Sequence, residues 1–229
     1  MDYKVIPLAA DIWAIQDGSV RMYLLDGGVE AFLIDTGFGS GDLGAVVRSL
    51  VKGPVRVINT HSHADHISGN RYFDTFYAGE EDREAVLPAC GSGIVEPLRD
   101  GERISAGKTE LTVIGIPGHT PGSIALLDTH RRLLFSSDAI ASHFPIFMQF
   151  PGQDLRQYLS SLKKIKEKSA LYDRIFPCHG DLEIDKGCLD RVISCCEGIL
   201  AGTVPGKPEQ MPDGQEQRTY RYQDIAIYH

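Results

Sequence analysis

The sequence lacks the features that mark membrane-spanning and disulfide-bonded proteins. It contains no run of about 18 uncharged apolar residues, the length that a transmembrane helix requires. Asp2, Lys4 and Asp11 lie where a signal peptide would need an apolar core. The five cysteines are odd in number and include no C-x-x-C spacing, which favours a reducing compartment. We therefore expect a cytoplasmic protein with no membrane partner.

Basic residues are in the minority. The chain has 23 lysine and arginine residues against 31 aspartate and glutamate residues, a formal net charge of -8. Because a chain of this charge repels phosphate backbones and anionic headgroups, we expect neither nucleic acid nor a membrane surface as a partner. The densest basic run, within residues 163–168, falls in a predicted helix and is interpreted as a solvated face. A small molecule is the predicted partner.

Internal repeats, low-complexity tracts and linkers are also absent from the body of the chain. The composition, 42% hydrophobic and 24% charged, is typical of a globular protein, so we predict a single domain over residues 1–229. Four short apolar runs separated by Asp-Gly and Gly-Gly turns predict an antiparallel meander of strands. These runs are residues 5–8, 12–15, 21–25 and 31–34.

The rest of the chain mixes strand and helix patterns. Strands are predicted over residues 55–58, 111–116, 124–127, 133–135 and 174–176, and helices over 39–51, 80–87, 155–168 and 186–200. A Pro- and Gly-rich loop over 202–217 leads to a last, half-buried edge strand over 220–228. This order favours a layered α/β or α+β protein with sheets inside and helices outside.

Three of the eight histidines fall within six positions. His61, His63 and His66, with Asp65 among them, directly follow the predicted strand over 55–58. Imidazole and carboxylate are ligands for zinc, iron and manganese. Because residues two apart in an extended segment point the same way, His61 and His63 can bind one ion while Asp65 and His66 bind another. A histidine-rich surface loop is the alternative.

Two ions need further ligands, and three residues have suitable settings. His119 lies in the turn Pro-Gly-His-Thr-Pro-Gly after a predicted strand, where two prolines restrict the backbone. His179 also follows a predicted strand. Asp138 could bridge two cations with its two oxygens, although a helix cap or turn would also explain it. His143 is a candidate for the substrate pocket because it follows Asp138 closely.

These motifs resemble those of the metallo-β-lactamase fold superfamily, particularly its glyoxalase II-like branch. The matching strings are Thr-His-Ser-His-Ala-Asp-His at 60–66, Pro-Gly-His-Thr-Pro-Gly at 117–122, Ser-Asp at 137–138, Cys-His-Gly at 178–180 and Leu-Ile-Asp-Thr-Gly at 33–37. The resemblance implies an α+β fold, a four-layer αββα sandwich with the site at one edge of its two sheets. It also implies a metal-dependent hydrolase.

The resemblance implies a catalytic and metal-binding role for seven residues. The first ion would be held by His61, His63 and His119, the second by Asp65, His66 and His179, and Asp138 would bridge them. Asp35, Thr60 and Thr120 are expected to support these ligands from behind. The implied cofactors are two divalent ions, zinc first, with iron or manganese as alternatives because they accept the same ligands.

We hypothesise that a hydroxide shared by the two ions attacks a small ester, thioester or lactone, since metal binding lowers the pKa of water from about 15.7 to about 7. Asp65 would also handle a proton. The glutathione-clamping helical region of glyoxalase II proteins has no counterpart after His179, which disfavours glutathione thioesters. Asp138 and the lack of a signal peptide argue against antibiotic hydrolysis.

Three other functions remain open on the same fold. They are an iron-dependent oxidoreductase resembling a persulfide dioxygenase, a hydrolase of small phosphodiesters, and a metal-binding sensor without turnover. The aromatic segment 139–150, with Phe144, Phe147, Met148 and Phe150, is interpreted as a pocket lid. It could contact an apolar part of the substrate, form a homodimer contact, or belong to the core.

Overall fold

The computed structural model describes residues 3–210 and 216–229. The first sheet has seven strands in chain order. Its strands are β1 (Lys4–Ala9), β2 (Ile12–Asp17), β3 (Val20–Asp26), β4 (Ala31–Ile34), β5 (Val55–Asn59), β6 (Thr75–Gly79) and β7 (Ile94–Leu98). Neighbours from β1 to β4 pair antiparallel, as the predicted meander requires, and β4 to β7 pair parallel. Gly18 closes the β2–β3 hairpin with a φ of 60°, which favours glycine.

The second sheet has five strands. They are β8 (Arg103–Ala106), β9 (Thr109–Gly115), β10 (Ile124–Asp128), β11 (Leu133–Ser137) and β13 (Arg174–Pro177). Their order in the sheet is β13-β11-β10-β9-β8, with β11 and β13 parallel and the other pairs antiparallel. Every residue of β10 and β11 is buried, as expected for strands covered on both faces.

Helices cover the outer faces of both sheets. They are α1 (Leu43–Leu50), α2 (Ala64–Ile67), α3 (Arg83–Val86), α4 (Leu155–Glu167) and α5 (Lys186–Leu200). The helix predicted from residue 39 begins later, because Asp42 caps α1 by accepting a hydrogen bond from the Ala45 amide at 2.8 Å. The helix predicted over residues 80–87 is regular only in α3, between two short 3₁₀ turns.

Three clusters of apolar side chains fill the spaces between these layers. In β10, Leu126 packs between the two sheets, whereas its neighbour Leu127 packs against α4 and α5 on the outer face. The third cluster joins the outer face of the first sheet to α1, with Leu33 against Val47. The alternation of side chains along each strand therefore produces the order helix, sheet, sheet, helix. The α+β sandwich is confirmed.

A third sheet near the C-terminus corrects two predictions. Its order is β12-β16-β15-β14, formed by β12 (Pro145–Phe147), β14 (Gly206–Gln210), β15 (Glu216–Tyr222) and β16 (Ile225–Tyr228). The predicted loop over 202–217 instead contains β14 and the start of β15, and its residues 211–215 lie outside the described part of the chain. Pro208 favoured the loop prediction because proline is rare inside sheets. β14 is an edge strand, where proline is tolerated.

The predicted edge strand over 220–228 is likewise wrong. It is interrupted by a turn at Gln223, whose φ is 55°, and becomes the antiparallel hairpin of β15 and β16. β16 is an inner strand, because β12 pairs with it in parallel on the other side. None of the helices found in residues 3–210 and 216–229 is long and apolar enough to cross a membrane.

Candidate metal centre

Seven histidine and aspartate residues converge just beyond the ends of strands from both sheets. The strand β5 leads to His61, His63 and α2, which carries Asp65 and His66. In the second sheet, three strands lead to the remaining residues: His119 follows β9, Asp138 follows β11 and His179 follows β13. The site therefore lies where the chain leaves one edge of the two packed sheets, as the sequence predicts.

The first group contains His61, His63, His119 and Asp138, whose candidate ligand atoms all lie within 4.8 Å of one another. The Nδ1 atom of His63 lies 3.1 Å from the Nε2 atom of His61 and 3.1 Å from that of His119. The Oδ2 atom of Asp138 faces the same point, 3.5 Å from His119 Nε2 and 3.9 Å from His61 Nε2. Three nitrogens and one oxygen therefore surround one position.

The second group contains Asp65, His66 and His179. Asp65 Oδ2 lies 3.2 Å from His179 Nε2 and 3.6 Å from His66 Nε2. The other oxygen of Asp138, Oδ1, lies 3.3 Å from His66 Nε2 and 3.5 Å from His179 Nε2. Asp138 thus turns one oxygen toward each group, which is the arrangement that a bridging carboxylate requires.

The nitrogen and oxygen atoms that converge in both groups are better placed to bind divalent cations than to form hydrogen bonds with one another. Two histidine nitrogens both approach His63 Nδ1, which can form a hydrogen bond with only one of them at a time. His66 Nε2 and Asp138 Oδ1 are buried, and no described residue gives either atom a hydrogen bond. Since buried polar atoms are normally satisfied, lone pairs that converge in this way match a metal site.

The outward nitrogens of the histidines fix the orientation of the rings. His66 Nδ1 lies 2.8 Å from Asp35 Oδ2, His119 Nδ1 lies 2.9 Å from the Phe147 carbonyl oxygen, and His179 Nδ1 lies 2.9 Å from that of Ser19. In the neutral form of each ring, these acceptors favour the proton on Nδ1, so that Nε2 is the atom that can bind an ion.

Asp35 and Thr60 lie behind the two groups and are joined to His66 by hydrogen bonds. The Asp35 carboxylate accepts hydrogen bonds from the Thr60 amide and hydroxyl, both at 2.7 Å, in addition to His66. Asp35 is fully buried and has a φ of 60°, a backbone conformation that is rare for a residue with a side chain. Its hydrogen bonds with Thr60 and His66 hold the loop after β5 in place.

Asp82 is a supporting residue that the sequence analysis missed. Its Oδ2 atom accepts hydrogen bonds from the Ser62 amide at 2.8 Å and the Thr120 hydroxyl at 2.7 Å, and Oδ1 accepts one from the Gly122 amide at 2.8 Å. Asp82 therefore links the loop of His61 and His63 to the loop of His119. It stands in a run of three acidic residues, and only its burial distinguishes it.

Arg21 is a second missed residue. From β3 its guanidinium donates hydrogen bonds to the carbonyl oxygens of Pro177, Gly180 and Asp181, which flank His179. The hydroxyl of Tyr23 donates to the same Pro177 oxygen at 2.6 Å. The first sheet therefore holds the loop that carries a residue of the second group. The signal in the sequence was an arginine within a predicted strand, residues 21–25, whose other residues are Met, Tyr and Leu.

A profile of the metallo-beta-lactamase superfamily matches residues 15–179, a span that includes all seven converging residues. The chain belongs to this superfamily. The acyl-coenzyme A thioesterase MBLAC2 of Gallus gallus is 26% identical over 201 residues, covering 74% of this chain and 72% of the relative. Among solved structures, a metallo-beta-lactamase from Pontibacter korlensis has a TM-score of 0.71 at 18% identity, covering 86% of this chain and 99% of that one.

Another relative in the superfamily has a different activity in its name. The mitochondrial persulfide dioxygenase ETHE1 of Bos taurus is 30% identical over 120 residues, covering 48% of this chain and 43% of the relative. The likeness to the Pontibacter korlensis structure, at 18% identity, shows the fold alone. Together with the superfamily match, these relatives confirm the predicted family and the prediction of an enzyme.

The electrostatics of this superfamily member differ between the two groups. Burial lowers the pKa of His61 and His63 and brings that of His119 to about 4, so these rings are neutral at pH 7. Burial also opposes charge on His66, but Asp138 and Asp35 outweigh it and raise the pKa of His66 well above its usual range. Neutral imidazoles are the form that binds metal ions, which favours a cation in the first group.

Asp138 remains ionised although it is buried. Burial alone would raise its pKa, but His179 and His66 outweigh that effect and hold the pKa well below its usual range. Burial also raises the pKa of Asp65, but hydrogen bonding to His179 and the charges of His66 and His179 together outweigh it and lower the pKa. Both carboxylates are therefore available as anionic ligands.

A cavity of about 540 Å³ opens over the two groups. It is lined by Ser19, Phe38, His63, Ala64, Asp65, His119, Asp138, Phe144, Phe147, Phe150 and His179. Of the pocket residues predicted from the sequence, Phe144 and Phe147 line it. Met148 does not, because it packs into the core, and His143 instead faces solvent with its Nδ1 atom 2.8 Å from Asp181 Oδ2.

Proposed function

We propose that the protein is a dinuclear metal-dependent hydrolase of small esters, thioesters or lactones. The observation that carries this proposal is the division of the ligands into two groups that share Asp138, with one carboxylate oxygen toward each. A site for one ion would not need Asp65, His66 and His179 to converge within 4.8 Å of one another beside a complete first group.

The proposed ligands of the first ion are His61, His63 and His119, those of the second are Asp65, His66 and His179, and Asp138 is the proposed bridge. Two bound cations would lower the pKa of water to near neutrality and polarise a carbonyl group. Zinc suits these nitrogen and carboxylate ligands best, and iron and manganese also accept them. The five free, buried cysteines support a reducing compartment, which we propose is the cytoplasm.

The residues around the cavity have complementary tasks in this proposal. Asp65 lines the cavity, is partly exposed and lies 3.2 Å from His179, so it can accept or return a proton during hydrolysis. Asp35, Asp82, Thr60 and Thr120 keep the ligand loops in place through the hydrogen bonds described above. The name of the MBLAC2 relative supports a thioester as one member of the substrate class.

Substitution of single ligands tests the proposal. In His61→Ala and Asp138→Ala, we expect bound metal, measured by elemental analysis, to fall together with turnover of a panel of thioesters, esters and lactones. His130→Ala, at an exposed turn, is the matched control and should keep both. Full turnover by a metal-stripped preparation would rule out the proposed mechanism.

A persulfide dioxygenase is a second candidate because ETHE1 matches about half of this chain. The test is oxygen consumption by the iron-loaded protein in the presence of a thiol persulfide. We expect no consumption above that of His61→Ala, because the second group of ligands is complete and points to two ions. Rapid consumption without ester or thioester hydrolysis would replace the hydrolase proposal with this one.

A further inference from the structure

Four phenylalanine side chains form the apolar part of the cavity over the two groups. Phe144, Phe147 and Phe150 come from the segment around β12, and Phe38 comes from the loop between β4 and α1. Phe38 and Phe150 remain 45% and 47% exposed, although they belong to the most hydrophobic residue types. Apolar rings that stay exposed beside a polar centre are a mark of a binding surface.

Two of these rings contact residues of the ligand groups directly. Phe144 stacks on the His179 ring with their centroids 4.5 Å apart and an interplanar angle of 7°. Phe150 meets the His63 ring edge-on, with centroids 5.8 Å apart. Phe147 lies between the other two phenylalanines, 6.3 Å from each. An apolar strip therefore runs from the second group to the first, beside the place where a carbonyl would be hydrolysed.

The strip is held by the third sheet. β12 pairs in parallel with β16, which aligns Phe147 with Tyr228, and the two rings meet edge-on at 5.1 Å. The Met148 amide donates a 2.7 Å hydrogen bond to the Tyr228 carbonyl oxygen. Such fixed rings can bind an apolar group with little loss of conformational freedom.

The charges of the lining also restrict what can bind. The residues that line the cavity within the described chain include Asp65 and Asp138 but no lysine or arginine. The only cations near the strip would be the proposed metal ions, which would be engaged by the reacting carbonyl. An anionic substituent lying along the phenylalanine strip would therefore lose its hydration without gaining a basic side chain as a partner. The cavity therefore favours an uncharged apolar group at this position.

We propose that the enzyme selects substrates in which an uncharged apolar acyl group lies along Phe144, Phe147 and Phe150. This inference rests on the proposed function and specifies the acyl half of the substrate. In the reaction, water adds to the acyl carbon and the carbon–sulfur or carbon–oxygen bond breaks. The products are the carboxylic acid and the free thiol or alcohol.

A series of acyl thioesters of one neutral thiol, N-acetylcysteamine, tests the inference on the metal-replete enzyme. From acetyl to hexanoyl, kcat/KM should rise about fourfold for each added methylene, the increment expected when that methylene is buried. A succinyl thioester, which ends in a carboxylate, should be hydrolysed more slowly than the butanoyl thioester. A flat series, or a faster succinyl thioester, would overturn the inference while hydrolysis itself supported the proposed function.

Variants test whether the phenylalanine strip causes the rise of kcat/KM with acyl length. Phe147→Ala and Phe150→Ala should flatten the chain-length series, so that their loss of kcat/KM relative to the wild type grows with the length of the acyl group. Leu171→Ala is the control, because Leu171 is similarly exposed at 43% but lies outside the cavity. Equal loss for all acyl groups, or flattening in the control as well, would contradict a role in selection.

A binding measurement keeps the inference testable if no thioester is hydrolysed. Calorimetric titration with the neutral probe octanamide should show binding that is at least tenfold weaker in Phe147→Ala and unchanged in Leu171→Ala. That result would support the apolar subsite even if the proposed hydrolase activity failed. If octanamide did not bind, or bound equally to Phe147→Ala, the inference would be wrong.

Discussion

Asp82 shows how one buried carboxylate can organise a site that it does not enter. It accepts three hydrogen bonds, and its partners belong to two loops that arrive from different sheets. One loop carries His61 and His63, and the other carries His119. By linking these loops, Asp82 helps to set the geometry of the first group.

We expect Asp82→Asn to weaken the first group without removing it. An amide nitrogen cannot accept the hydrogen bond that one carboxylate oxygen now receives, so at least one buried donor loses its partner. The free energy of unfolding should fall by about 1 to 3 kcal/mol, and metal affinity by roughly tenfold to a hundredfold. Chemical denaturation and metal competition with a chelator measure the two effects.

Glu81→Gln is the control for that substitution, since Glu81 is the exposed neighbour of Asp82 in the same acidic run. It should change neither quantity. Retention of wild-type metal affinity by Asp82→Asn would show that the two loops are positioned by other contacts.

For single residues, the sequence predicts which histidines and aspartates converge better than it predicts the residues that hold them in place. His61, His63 and His119 stand in motifs whose spacing is local, and Asp35 stands in a string that matches the superfamily. Asp82 has no such mark, because the partners that give it a role are distant in the sequence. Tertiary contacts, which are not visible in local patterns, decide which of three adjacent acidic residues is buried.

Among the secondary-structure elements, β3 has the clearest effect on the site beyond its own sheet. Its Arg21 reaches across to the end of β13 and binds three carbonyl oxygens around His179. A planar guanidinium can satisfy several acceptors at fixed angles, whereas an ammonium group cannot. The position of the second group therefore depends on a contact between the two sheets.

We expect Arg21→Lys to reduce the occupancy of the proposed second ion more than that of the proposed first. Lysine keeps the charge but leaves buried carbonyl oxygens unpaired, which should lower the free energy of unfolding by about 1 to 3 kcal/mol. Elemental analysis after dialysis should show metal falling from two toward one ion per chain. Arg156→Lys, at an exposed position of α4, is the control; equal metal content in both variants would contradict the prediction.

Strands whose residues alternate between apolar and polar could be predicted from the sequence. Strands whose conformation depends on pairing with a neighbouring strand could not. The meander from β1 to β4 alternates and is punctuated by turns, and it is observed as predicted. β7 and β14 contain proline and charged residues, so their sequences do not resemble strands. Each is the end strand of its sheet, and its conformation comes from pairing with the next strand.

At the scale of the whole molecule, the layers bury all five cysteines away from solvent. Cys178 lies between the two sheets, Cys188, Cys195 and Cys196 lie between α5 and the second sheet, and Cys90 lies on the outer side of the first sheet. All five are free and buried. The absence of paired spacing in the sequence agrees with this arrangement, but the sequence alone could not place the thiols in three separate clusters.

We expect the folded protein to resist thiol labelling at pH 8. Burial raises the pKa of Cys178 and Cys188 to about 12 and that of Cys195 to about 11, and it raises the pKa of Cys90 and Cys196 in the same direction. Since the thiolate is the reacting form, a raised pKa lowers the reactive fraction at pH 8 below that of an unperturbed cysteine. Labelling with a chromogenic disulfide should modify five thiols per chain in guanidinium chloride and far fewer than one in the native state over the same time.

The same measurement tests whether the sandwich depends on the proposed metal ions. The four layers are held by apolar clusters that contain most of the buried side chains, so removal of metal with a chelator should leave labelling slow. Fast reaction of a single thiol after chelation would instead show that the ions hold the sheet edge closed. Cys178 would be the residue to examine by mass spectrometry, because it directly precedes His179 and its Sγ atom lies 3.5 Å from Asp35 Oδ2.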